Sequence, residues 1–219
     1  NLDDELVTIN HRLTSKGISA IPEIFTSPYY KDDAGYSYEY RPIVLVSFAI
    51  EHDFFGENPH WGHFWNVMLY GLSCVLLYKV LQLLFKSYSP LIAIAVSLLF
   101  VSHPAHTEVV CSIKNRDEIL GLFFSLLTFY IVLKFILTEK SYLLILVPLF
   151  FMLALMSKIT VVSFVVIIPI ALILLFNASF LVSIFVTFLM LLPTFFLMSY
   201  GTTFDKIIQL SIHERNVTH

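Results

Sequence analysis

Residues Pro90–Leu137 read PLIAIAVSLLFVSHPAHTEVVCSIKNRDEILGLFFSLLTFYIVLKFIL. Two runs of nearly unbroken hydrocarbon, Pro90–Ser102 and Ile119–Leu137, enclose a polar insert that holds two histidines, a glutamate and the charged cluster KNRDE. A connecting loop needs only turn residues, so the insert asks for a reason. The two runs that enclose it decide the fold class. Ile119–Leu137 makes a helix of about 28 Å, enough for a hydrocarbon core of about 30 Å. Pro90–Ser102 makes only about 20 Å, so a helix that starts at one bilayer edge ends short of the other. The histidines after it are then expected at membrane depth.

Four more apolar runs flank these two: Phe64–Phe85, Tyr142–Met156, Ile159–Phe176 and Phe180–Tyr200. Open strands cannot cross lipid, so all six runs are expected to be helices. The composition agrees. With 58% hydrophobic and 13% charged residues over 219 positions, the chain is far too apolar for an ordinary soluble domain. The expected fold is an all-α integral membrane bundle in three parts. Residues 1–63 form an outer-face loop with an acidic motif and an interfacial helix, residues 64–200 form six transmembrane helices with a re-entrant polar segment at 103–118, and residues 201–219 begin a further outer-face loop. The opening NLDDELVTIN has no Met and no basic leader, and the chain is expected to be a piece of a longer protein.

Polarity sorts by side. If all six runs cross, all eight His and 15 of the 16 Asp/Glu share one side, leaving Glu139 on the other. The opposite side has only tiny connections, whose charges are Lys86, Glu139 and Lys140, with Lys79 and Lys134 in adjoining turns. We assign those short basic connections to the cytoplasm, which turns the polar side to the periplasm or the ER lumen. The formal charge of −3 and the scattered Lys and Arg exclude a phosphate-tracking basic stripe, so no nucleic-acid partner is expected. Cys74 and Cys111 form neither a disulfide framework nor a CxxC site.

Within 1–63, YRPIVLVSFAIEHDFF reads as a helix with Pro42 in its first turn, apolar except for Ser47 and Glu51 four residues apart. It is expected in the interface plane, with Trp61 and Trp65 at headgroup level. Asp3, Asp4 and Glu5 are either solvated boundary acids or a carboxylate base at the membrane surface.

The polar insert has three readings. A metal site on His103, His106 and Glu108 is opposed by Pro104, which breaks the helix between the rings, and by the lack of HExxH or a Cys partner; no metal is expected. Ring nitrogens capping a helix end are the structural alternative. A substrate-facing cluster is the third, because ionisable groups at membrane depth are expensive and mark functional paths. Asp117 and Glu118 suit the positive N-terminus of the next span, which leaves Arg116 needing a partner. Lys158, alone between two apolar runs, either snorkels to the surface or holds a phosphate, and Arg41 offers the same choice.

Taken in order, the acidic pair, Tyr40-Arg41-Pro42, Asn58-Pro59 with His63 and Asn66, His103-Pro104-Ala105-His106-Thr107-Glu108, Asn115-Arg116-Asp117 and Ser157-Lys158 resemble the TMTC-type (transmembrane and tetratricopeptide repeat) O-mannosyltransferases and their bacterial relatives. These are multi-pass GT-C glycosyltransferases. The likeness covers roughly Leu2 to Phe176, and the HPxHTE element is its most specific part. It departs after Lys158, where the family tends to have Glu and this chain has Ile159.

The resemblance implies a GT-C bundle that moves a sugar, mannose or a related hexose, from a polyprenyl-phosphate carrier to a hydroxyl on a protein or glycan acceptor. It implies Asp3 as the base with Asp4 beside it. Arg41, His103, His106, Glu108, Arg116 and Lys158 then belong to the substrate site. The lipid-linked sugar is the donor, and no separate cofactor is implied. A transporter or channel fragment with a His/carboxylate ion path is the rival, as is a non-catalytic membrane scaffold for repeats. Transport would place ionisable groups along the spans, which carry almost none.

Overall fold

A computed structural model describes residues 11–31 and 37–217, with side chains described for 11–30 and 39–199. Nine α-helices follow one another among these residues: α1 Ile21–Ile24, α2 Pro42–Phe55, α3 Pro59–Leu84, α4 Pro90–Val101, α5 Ala105–Cys111, α6 Arg116–Thr138, α7 Leu143–Leu155, α8 Phe164–Phe176 and α9 Phe180–Val217. A 3₁₀ stretch, Thr14–Ala20, precedes α1, and Tyr30–Lys31 pairs antiparallel with Ser37–Tyr38 in a minimal β-ladder.

This is an all-α, multi-span membrane protein. Four segments are long and apolar enough to cross a bilayer: Pro59–Leu84, Ile113–Thr138, Ile159–Phe176 and Phe180–Ser199. Helices α4 and α5 make a fifth if counted as one span, broken and bent by 63°. The break falls at His103-Pro104, where proline lacks the amide proton that would continue the ladder. Helix α7, at 13 residues, is apolar but short.

Two prolines open their helices with a side-chain cap one residue before. The Asn58 Oδ1 accepts the His60 amide at 3.0 Å ahead of Pro59, and the Ser89 Oγ accepts the Leu91 amide at 3.3 Å ahead of Pro90. Inside the spans, hydroxyls return their protons to the helix. Ser73, Ser97, Ser125, Thr128 and Thr194 each donate to the carbonyl four residues back, at 2.7–2.9 Å. A hydroxyl in hydrocarbon has no water to bond, and the near carbonyl is the partner always within reach.

The main core gathers where α6 meets α7, with Val132 and Leu133 against Val147, Phe151, Ala154 and Leu155, and it extends to Ile168, Leu172 and Met190 on α8 and α9. A second core lies under α2. Val44, Leu45, Phe48 and Ala49 are buried against Ile24, Ile113 and Leu120. Helix α2 therefore has two different sides. Its inner apolar residues are covered by the chain that precedes it and by the head of α6, while Ile50 and Phe54 stay exposed. The close fit of the preceding segment depends on Gly17, whose φ of +65° is left-handed and whose missing Cβ leaves room for the Asp53 carboxylate. At the far end of α2, Phe55 stacks on Trp61 with centroids 4.1 Å apart, which ties α2 to α3.

Candidate functional site

The first turn of α6 organises the polar end of the bundle. Arg116 and Asp117 are adjacent, both almost fully buried, and point into two different clusters.

Asp117 is the hub of the first. Its Oδ1 accepts the Glu118 amide at 2.7 Å, which satisfies one of the free N–H groups of the helix start. Its Oδ2 takes Lys158 at 2.9 Å and an ion pair from Arg41. Lys158 also pairs with Glu118 at 2.7 Å, and Arg41 with Glu39. The Arg41 guanidinium lies 5.0 Å from the centre of the Tyr29 ring, a cation–π contact. Burial pushes the Tyr29 hydroxyl above the ordinary phenol range, and the Asp117 charge adds to the shift. Two cations thus face three carboxylates, and the cations themselves remain partly open, at 14% and 17% exposure.

Arg116 is the hub of the second cluster. It pairs with Glu51 at 2.6 Å, and donates to Asn66 Oδ1 at 2.9 Å, the Gly62 carbonyl at 3.2 Å and Ser47 Oγ at 3.4 Å. The Phe48 ring lies 4.2 Å from its guanidinium carbon. Asn66 in turn donates to the Ser112 carbonyl at 3.0 Å, which holds the polar insert against α3. A buried guanidinium needs each of these partners, since an unpaired charge in a low-dielectric interior costs several kcal/mol. Beside it opens a cavity of about 410 Å³. It is lined by Ser47, Glu51 and Arg116 together with Ile50, Phe54, Trp65 and Leu120.

The histidines form a third group at the break between α4 and α5. His106 is half-buried, with its Nδ1 2.8 Å from the Phe100 carbonyl and 3.0 Å from Tyr70 Oη. His103 is exposed, and its Nδ1 accepts the Ala105 amide at 3.3 Å. Glu108 is exposed on α5. Asp3 and Asp4 lie outside the described residues. Of the residues singled out from sequence, the structure brings Arg41 and Lys158 together on Asp117, places Arg116 in the neighbouring cluster around Glu51 and Asn66, and gathers His103 and His106 separately. No group of three or more His, Cys, Asp or Glu suited to a metal occurs among the described residues.

Several members were not identified as site residues from sequence. Asp117 is explained locally as a helix-start acid, and only the fold adds two cations to it. Glu51 and Ser47 did carry a signal as isolated polar residues four apart on an apolar helix. Gly121 carried none: a Cβ there would lie 3.2 Å from Lys158 Cβ and 3.0 Å from Val161 Cγ1, so its hydrogen admits the lysine to the face of α6.

Comparison with known proteins bears on this arrangement. The chain is 37% identical over 91 residues to mouse protein O-mannosyl-transferase TMTC1, covering 41% of this chain and 9% of that protein. It is 40% identical over 89 residues to Xenopus laevis protein O-mannosyl-transferase tmtc2, covering 40% and 10%. Human protein O-mannosyl-transferase TMTC2 is 34% identical over 101 residues, covering 43% and 11%. About two fifths of the chain is thus similar in sequence to TMTC-type protein O-mannosyl-transferases. It spans about a tenth of the length of these relatives. No family model matches it, and no solved structure does.

Proposed function

We propose that this chain is part of the membrane domain of a GT-C-type glycosyltransferase that moves mannose or a related hexose from a polyprenyl-phosphate carrier to a hydroxyl, with protein Ser/Thr as the acceptor. The observation that carries this reading is the meeting of Arg41 and Lys158 on Asp117 at the head of a span, in a chain whose relatives are named O-mannosyl-transferases. Cleavage of a glycosyl phosphate leaves charge on the departing phosphate, and fixed cations in a partly dry site are what stabilise it. Lys158 has an exchangeable partner for that purpose: Glu118 is 46% exposed, whereas Asp117 is buried. A phosphate arriving from the membrane replaces Glu118 on the ammonium while Asp117 keeps both cations aimed.

The neighbouring groove supports the same reading. Its aromatic and aliphatic walls suit an isoprenoid chain, a ligand too apolar to leave the bilayer, and it flanks the helix turn that carries Asp117. Arg116 supports this site by holding α2, α3 and the polar insert in register. Asp3, with Asp4 beside it, takes the proton of the attacking hydroxyl, and the reaction runs on the periplasmic or ER-lumenal face.

The test uses the full-length protein in proteoliposomes with mannose-bearing polyprenyl phosphate and a Ser/Thr peptide. Wild-type protein transfers the sugar, and Lys158→Ala or Arg41→Ala lowers the rate about a hundredfold, the scale of losing one preorganised charge contact. A wild-type protein that conducts ions and transfers no sugar overturns the proposal in favour of a transport pathway.

A further inference from the structure

The two histidines of the broken helix, each as the neutral ring, present opposite polarities. A carbonyl can only accept, so the 2.8 Å contact of His106 Nδ1 with the Phe100 oxygen requires a proton on Nδ1. Tyr70 Oη at 3.0 Å shares that proton as a second acceptor and sends its own toward the Val101 carbonyl at 3.4 Å. In the neutral imidazole, Nε2 is then a bare acceptor. His103 is the reverse. A backbone amide can only donate, so the Ala105 contact at 3.3 Å places a lone pair on Nδ1 and the proton on Nε2.

The ring nitrogens of an imidazole point away from each other, so each anchored Nδ1 turns Nε2 outward. Among the described residues neither Nε2 has a partner. The rings are 5.6 Å apart between centroids. His106 is also held by packing, with the Phe100 ring 4.3 Å away and Tyr70 at 5.7 Å. Backbone, phenol and ring contacts thus hold a nitrogen with an open lone pair next to one with an open proton.

We infer that His106 and His103 form a hydroxyl-recognition pair, His106 Nε2 accepting from a substrate hydroxyl and His103 Nε2–H donating to the oxygens beside it. The inference rests on the transferase reading and assigns these residues to the sugar or the acceptor, not to the phosphate. A phosphodiester offers only acceptor oxygens at neutral pH, so it meets the neutral His106 Nε2 with another lone pair and is bound only by an imidazolium. A metal needs lone pairs from both rings, and the outward nitrogen of His103 carries a proton. A hydroxyl both donates and accepts, and it satisfies both nitrogens.

The experiment measures binding of polyprenyl phosphate with and without mannose to the full-length protein, together with KM for the acceptor peptide. The variants are His106→Asn, whose amide still reaches the Phe100 carbonyl but lacks Nε2, and His103→Ala at an exposed position where folding is not at stake. An affinity loss of about tenfold confined to the mannose-bearing carrier assigns the pair to the transferred sugar. Intact donor affinity with a KM for the peptide raised about tenfold assigns it to the acceptor hydroxyl. Equal loss for both carriers, no change in any readout, or chelator-sensitive binding overturns the inference while leaving transfer by the wild type untouched. A wild-type protein that binds neither carrier overturns both this inference and the transferase reading.

Discussion

Lys158 and Asp117 meet at 2.9 Å across 41 residues of sequence, and the lysine reaches that carboxylate because Gly121, one turn further along the same helix, presents no side chain to block it. The pairing also leaves Ile159, the residue after the lysine, outside the charge cluster. The acids for Lys158 come from the head of α6, as Asp117 and Glu118, and Ile159 points outward at 47% exposure.

Gly121→Ala is therefore expected to act on the site through packing. A methyl group 3.2 Å from Lys158 Cβ pushes the lysine away from α6, at an overpacking cost of about 1–3 kcal/mol. Sugar transfer falls and the melting temperature in detergent drops with it, whereas alanine at exposed Gly71, which has open space around it, leaves both unchanged. Equal behaviour of the two variants would show that the approach of Lys158 is unimportant.

Glu51→Gln removes the charge partner of a guanidinium that is 2% exposed. Breaking one side of such a pair costs about 3–5 kcal/mol, because the remaining charge stays buried. The variant should unfold well below the wild type, and the double change Glu51→Gln with Arg116→Met should recover part of the loss. Thermal unfolding of the four proteins completes the cycle; additivity of the two single effects would contradict the coupling.

The segment before α2 should loosen in acid. His11 accepts the Leu13 and Thr14 amides at Nδ1 and donates from Nε2 to the Tyr29 carbonyl at 3.0 Å, an arrangement only the neutral ring can make. Burial lowers its pKa below the ordinary value, so the unfolded state binds the proton more readily. The resulting stability is present above about pH 6.5 and is lost as pH falls through the lowered folded value. Melting curves between pH 7.5 and about pH 5 should show a decline that His11→Gln flattens. A decline of the same size in that variant would assign the effect to another group.

Asp3→Asn keeps size and most hydrogen bonding but cannot take the proton of the attacking hydroxyl. In the full-length protein it should retain expression and donor binding while transfer falls about 10²–10⁴-fold, with Glu5→Gln mild. A dead Asp4→Asn beside an active Asp3→Asn moves the base by one residue; activity in both removes it.

What the chain determined by itself is the helical class and the position of most of its apolar helices, although the first span begins at Pro59, five residues before the apolar run read from Phe64. Run length against bilayer thickness selects the long spans, Asn58-Pro59 caps one of them and Ser89-Pro90 the shorter helix α4, and Pro104 marks the break at which the histidines sit. These are local properties, written within one or two turns of the residues concerned. Partnership is not local. Arg41 reaches Asp117 across 76 residues and Arg116 reaches Asn66 across 50. Each of these side chains, read alone, is equally a snorkelling cation, a helix-end acid or a polar residue on an apolar face. Which face of each helix turns inward is decided by how α2, α3 and α6 pack, with Gly62 and Gly121 admitting Glu51 and Lys158 to close range. Only that rotation selects the partners of each charge, because a buried charge is stable only where its counterion is also brought inside.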